Sequence, residues 1–183
     1  MSTGDPPFRR VAIIGIGLIG GSIALAVRER WPSVRIVGLD RQAVLAHALG
    51  GGAIDRAAAR LEDIGEPDLI VLAAPVRQNV DMLPRIAAHA GPQAVITDVG
   101  GTKREILAVA AGLEGTTFVG GHPIGGAERG GFGFARPDLF TGRPWIFTPC
   151  ERTPRGVLAS LFQFAEGTGA RPSTLDAAAH DRL

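Results

Sequence analysis

Residues 11–21 read VAIIGIGLIGG, and this stretch limits the fold more than any other part of the chain. A run of branched apolar residues of strand length stops at Gly15. Gly15, Gly17 and Gly20 follow in the spacing G-x-G-x-x-G. Each glycine has its own task in such a turn. The first allows a tight bend, the second lets backbone approach a pyrophosphate, and the third lets the next helix pack close to the strand. A helix expected from Leu18 aims the free N–H groups of its first turn, including Leu18 and Ile19, at the same place. Glycines in this spacing also occur in turns that bind nothing. Here a second strand, VRIVGLD, ends in Asp40 at the distance the dinucleotide fingerprint requires.

Asp40 is placed to accept hydrogen bonds from ribose hydroxyls. Its carboxylate repels a 2′-phosphate, which favours NAD over NADP. The neighbouring Arg41 works the other way, by softening that repulsion or stacking on the adenine, so NADP stays the second choice. Asp40 is also a candidate N-cap for a helix starting at Arg41, and both roles can hold together.

The remaining chain continues the alternation. Strands are expected at residues 10–16, 34–39, 68–74, 94–99, 117–120 and 145–148. Helices are expected at 18–30, 41–49, 79–90, 102–111 and 154–166. Residues 55–64 are ambiguous, with a short helix as one choice. Residues 1–7 read as a flexible tail, 8–173 as one dinucleotide-binding domain, and 174–183 as the start of a further helix. Strands that alternate with helices of this length give a doubly wound, mostly parallel α/β sheet of the Rossmann type. The 183 residues suffice for one such domain.

Composition excludes several classes. The net charge of +1, with both signs interspersed, gives no field to gather nucleic acid. No apolar run approaches the length of a membrane span, and residues 1–10 lack a signal peptide's apolar core. The single Cys150 excludes an internal disulfide and a multi-cysteine metal site, and no metal is expected. A cytoplasmic location fits this cysteine usage.

Ligands of such sheets lie beyond the carboxyl ends of the strands. Ala74, Pro75 and Val76 follow one strand end there, and Asp98–Lys103 follow another. Asp98 is placed to orient neighbours or to bind a ribose. Thr102 is placed to cap its helix, with Glu105 as reciprocal partner in a capping box. His122 directly follows a strand, between Gly121 and Pro123. Histidine is the side chain best suited to proton transfer near neutral pH, although a lone histidine is often structural. His47, His89 and His180 are weaker candidates by position.

The segments GIGLIGGS, VGLD, VLAAPV, ITDVGGTK, FVGGHPIGGAERGGF and LFTGRPWIFTP, in this order, resemble the prephenate/arogenate dehydrogenases of tyrosine biosynthesis. The first motif is shared with many dehydrogenases, whereas GHPIGGAE followed by LFTGRPWIFTP is far more specific. The resemblance implies an NAD-dependent oxidative decarboxylation of prephenate or arogenate. Hydride passes to the nicotinamide, a histidine takes the hydroxyl proton, carbon dioxide leaves and the ring becomes aromatic. It implies that His122 is that histidine, with Gly101, Thr102, Gly125 and Gly126 around the substrate.

Two features depart from the family. Its turn commonly reads D-x-G-S-x-K, with the serine bonded near the histidine. Here Gly101 takes that position, and the neighbouring Thr102 is the nearest substitute. Members also carry a C-terminal helical domain that forms a homodimer and supplies an arginine for the substrate carboxylate. The segment STLDAAAHDRL resembles the entry to that domain, so this chain is expected to be the nucleotide-binding half and inactive alone. Two alternatives stand beside this one. They are a β-hydroxy acid dehydrogenase, disfavoured by GHPIGGAE, and a non-catalytic NAD-binding module, favoured by the expected missing half and by Gly101.

Overall fold

A computed structural model of the chain describes residues 4–126 and 129–183. Eight strands form one sheet in the order β3-β2-β1-β4-β5-β6-β7-β8. The strands are β1 (Arg10–Ile14), β2 (Arg35–Leu39), β3 (Arg56–Ala58), β4 (Leu69–Leu72), β5 (Val95–Asp98), β6 (Thr117–Pro123), β7 (Pro144–Thr148) and β8 (Arg171–Thr174). The helices are α1 (Leu18–Arg30), α2 (Gln42–Gly50), α3 (Val76–His89), α4 (Arg104–Ala111), α5 (Arg155–Gly167) and the short α6 (Ala177–His180). β1 to β6 pair in parallel. The chain order reverses between β1 and β4, and the crevice of a doubly wound sheet opens at such a switch point.

Both faces of the sheet are covered, which is why its central strands read as unbroken apolar runs. Val11 and Ile13 of β1 face one layer, with Ile23 and Val27 of α1 and Leu161 and Phe164 of α5. Ala12 and Ile14 face the other, with Val80, Leu83 and Ile86 of α3 and Ile106 of α4. The alternation of side chains along a strand divides one apolar segment between two cores.

Several elements differ from expectation. The ambiguous residues 55–64 form the short edge strand β3 and then a 3₁₀ turn at Leu61–Ile64. α3 begins at Val76 rather than at residue 79, because Pro75 ends β4's run and its fixed φ opens the helix directly. The helix continues through Pro84. β8 was not foreseen. It is a polar edge strand holding Pro172, which only an edge tolerates.

Both ends of the chain are tied to the body. The indole N–H of Trp31 donates to the Gly4 carbonyl at 3.1 Å, and Gln163 donates to the Asp5 carbonyl at 3.0 Å. Phe8 is buried against Phe164. The expected loose tail of residues 1–7 is therefore anchored from Gly4 onward, while residues 1–3 lie outside the described residues. Residues 177–183 fold back onto the start of α4 instead of leading away. Among the described residues, no helix is long and apolar enough to cross a membrane.

Candidate active site

The glycine turn follows β1 as expected. Gly15 has φ of +97°, a conformation that side chains rarely adopt. A Cβ there would also stand 2.5 Å from the backbone of Ala73 and Ala74, so the turn lies directly on the end of β4. At Gly20 a Cβ would collide with the Gly15 carbonyl, which matches the packing task expected of the third glycine. Gly17 is different, since nothing lies within 4 Å of the place its Cβ would take. It is the N-cap of α1, and neither a side chain nor an acidic residue serves that first turn. Open space and unserved N–H groups, Leu18 and Ile19 among them, are what a bound pyrophosphate needs.

A cavity of about 870 Å³ opens beside this turn. Gly15, Gly17, Asp40, Arg41, Ala74 and Pro75 all line it, so six residues expected at a cofactor share one crevice. Asp40 Oδ2 accepts from the Ile16 N–H at 2.7 Å, and Oδ1 accepts from the Arg41 N–H at 2.6 Å. The carboxylate thus braces the glycine turn from the next strand. It does not cap α2, whose N-cap is Arg41 with no side-chain bond. The Arg41 side chain is 88% exposed at the cavity rim. Val76 lies deeper along the edge, because a Cβ on Gly100 would come within 3.0 Å of its Cγ2.

The turn after β5 is held by a buried ion pair. Asp98 is 1% exposed and Lys103 0%, and the Lys103 ammonium contacts Asp98 Oδ2. Oδ2 also accepts from the Gly100 N–H at 2.9 Å, and Oδ1 from the Gly121 N–H at 3.1 Å. Burial raises the Asp98 carboxyl and lowers the Lys103 ammonium, while the pairing opposes both shifts. Of the two roles expected of Asp98, orienting neighbours matches these bonds and binding a ribose does not. Its oxygens instead face the interior, and it binds the β5 turn to β6.

The closeness of β5 and β6 explains Gly121. A Cβ there would stand 2.7 Å from the Asp98 carbonyl and 3.0 Å from Thr97 Oγ1. Only glycine lets β6 pass so close to β5. β6 itself is longer than the sequence indicated. Thr117–Val119 pair in parallel with β5, and Gly120–Pro123 pair antiparallel with β7. His122 therefore lies within the strand, opposite Ile146, rather than after it. The second half of β6 extends past the sheet's carboxyl edge and carries the histidine with it.

His122 is half-buried. Its Nδ1 is 3.0 Å from Nε2 of His180, which is itself 2% exposed. His180 Nδ1 is 2.9 Å from Asp181 Oδ1. Asp181 also accepts from the N–H groups of Lys103 at 2.7 Å and Arg104 at 3.0 Å. Burial, then His180 and Lys103, push the His122 pKa down to about 4, against an opposing pull from Asp181. Burial alone would raise Asp181, but its bonds to His180, Arg104 and Lys103 hold it below the usual range.

The capping box at Thr102 does not form. α4 starts at Arg104, its N-cap Lys103 makes no side-chain bond, and Asp181 satisfies the open N–H groups from 77 residues away. Thr102 is exposed and, among the described residues, makes no hydrogen bond, so it does not stand in for the family serine. Gly101 does face the histidine, since a Cβ there would lie 3.8 Å from His122 Nε2. Gly125 packs near Phe140, and Gly126 has open space around it. Ala127 and Glu128 of the same motif lie outside the described residues.

Sequence reasoning ranked His180 low, named Lys103 only as the end of a turn, and missed Asp181. The His122–His180 contact spans 58 residues, and no local spacing announces it.

A family model described as the nucleotide-binding domain of prephenate dehydrogenase matches residues 23–174. The chain belongs to this family. Within the prephenate dehydrogenase family, a Bacillus subtilis prephenate dehydrogenase is 36% identical over 178 residues, which is 93% of this chain and 47% of that protein. The structure of an A. aeolicus prephenate dehydrogenase with hydroxyphenyl propionate and NAD+ superposes with a TM-score of 0.88 at 29% identity, over 94% of this chain and 62% of that one. A Synechocystis arogenate dehydrogenase gives 0.88 at 30% identity, with the same coverage. The chain spans about half the length of the first curated relatives it matches. His180 and Asp181 lie beyond the matched residues.

Proposed function

We propose that this chain is the NAD-binding half of a prephenate or arogenate dehydrogenase, with His122 as proton acceptor. One observation carries the proposal. His122 presents Nε2 next to Gly101 at the carboxyl edge of the same sheet whose glycine turn opens the cofactor crevice.

The residues fit a dinucleotide. The N–H groups of Leu18, Ile19 and Gly20 receive the pyrophosphate over Gly17, and Asp40 and Arg41 take the adenosine ribose. Ala74, Pro75 and Val76 form the wall leading toward the β5 turn. When bound, NAD supplies the hydride acceptor. Neutral His122 takes the proton of the substrate hydroxyl at Nε2. Its low pKa keeps it neutral and ready at physiological pH. Gly101 leaves room beside it for a ring, and Gly125 and Gly126, just after the end of the same strand, are the further substrate contacts. Asp98 and Lys103 hold the turn that carries Gly101. Dimerisation through a C-terminal domain and a cytoplasmic location belong to the same proposal.

The test follows NADH absorbance with prephenate and with arogenate. It uses the 183-residue chain and a longer version carrying the C-terminal half of a relative. The short chain is expected to bind NAD with negligible turnover, and the longer version to turn over one or both substrates. NAD binding without turnover in either would mark a non-catalytic module. Full activity in the short chain would remove the need for a second half.

A further inference from the structure

Asp181, His180 and His122 form one line of hydrogen bonds from the start of α4 to the mouth of the site. The distances are 2.9 Å from Asp181 Oδ1 to His180 Nδ1, and 3.0 Å from His180 Nε2 to His122 Nδ1. The positions of the protons follow from what each group can do. An ionised carboxylate only accepts, so His180 Nδ1 carries a proton toward Asp181. A neutral His180 then has only a lone pair at Nε2. The bond to His122 still needs one proton, and it can come only from His122 Nδ1. That leaves the lone pair of His122 on Nε2.

We propose that His180 and Asp181 are positioning residues that fix His122 as the Nδ1–H tautomer, with Nε2 as the proton acceptor. A free histidine in water favours the opposite tautomer, so the surroundings must select this one. The charged groups facing the line support the assignment. Asp181 is anchored by the Lys103 and Arg104 N–H groups, so its carboxylate cannot turn away. The Lys103 ammonium, paired with Asp98, disfavours a positive charge on His122.

Gly101 completes the arrangement. Its missing side chain would have stood 3.8 Å from Nε2, on the accepting side of the ring. With glycine at 101, no side chain of that residue stands on the accepting side of the ring. Here the ring is oriented from behind, through Nδ1, and its front stays clear.

The proposal rests on the dehydrogenase reading only for the use made of the lone pair. The tautomer is tested without turnover, by long-range ¹H–¹⁵N NMR of the 183-residue chain at neutral pH. The expected spectrum shows His122 with a protonated Nδ1 and a bare Nε2, and the same pattern for His180. His180→Gln keeps an acceptor near His122 Nδ1 and should preserve the pattern. His180→Leu removes it, and His122 should revert mainly to the Nε2–H form. A protonated His122 Nε2 in the parent chain overturns the proposal, as does an unchanged pattern in a folded His180→Leu chain. If the leucine variant does not fold, the parent and His180→Gln spectra still decide. In the longer version, His180→Leu should lower kcat roughly tenfold to a hundredfold with KM little changed, and His180→Gln should recover most of it. Absent turnover with the expected spectrum would sink the dehydrogenase reading and leave the tautomer standing.

Discussion

Gly17 offers the simplest single-residue test of the crevice. Nothing lies within 4 Å of its Cβ position, so a side chain can start there without meeting protein. Gly17→Val is expected to leave circular dichroism unchanged and to abolish NAD binding in calorimetry. Unchanged affinity in a folded variant would show that no phosphate lies there. Asp40 sets a second test. NAD should bind more tightly than NADP, and Asp40→Ala should narrow the gap. It should also weaken both, because the Ile16 N–H loses its acceptor. Tighter binding of NADP by the unchanged chain would reverse the assignment. At His122 the nominal pKa of about 6.5 would place the acid limb of activity near neutral pH. Burial moves it to about 4. The neutral ring is the active form, so turnover of a longer version should hold down to about that pH and fall below it. His122→Asn should cost about a hundredfold or more in kcat.

At the scale of elements, the β5–α4 turn is the place to probe. Lys103→Met leaves Asp98 buried without its cation and should destabilise the fold by about 3–5 kcal/mol in urea unfolding. The double change Asp98→Asn, Lys103→Met should cost less, because no lone charge is stranded. Asp181→Ala removes the carboxylate that accepts from the Lys103 and Arg104 N–H groups at the start of α4 and should cost about 0.5–2 kcal/mol. The sequence shows clearly where this turn is and not what holds it. β1, α1, β2, β4 and β5 are legible because their signals are local: apolar runs, glycines and prolines at fixed offsets. The Thr102 capping box was a local signal too, and a distant carboxylate took its place. β8 hides because an edge strand buries little and needs no apolar pattern. His180 hides because its role exists only once 58 residues of chain have returned to the site.

For the whole molecule, acid stability follows from His122. Between pH about 6.5 and about 4 the unfolded chain binds a proton at this residue that the native state does not. Stability should therefore fall as pH drops through that window, and His122→Asn should flatten this part of the curve in thermal scans. The two tryptophans also report on separate regions. The chain has no tyrosine, so its near-ultraviolet signal comes almost wholly from Trp31 and Trp145. Trp31 holds the amino-terminal segment through Gly4. Trp145 is fully buried, opposite Pro123 on the strand that carries His122. Replacing either with phenylalanine leaves a single native fluorophore. One such chain would show release of the amino-terminal segment, and the other would show disturbance beneath the strand that carries His122, with no label attached.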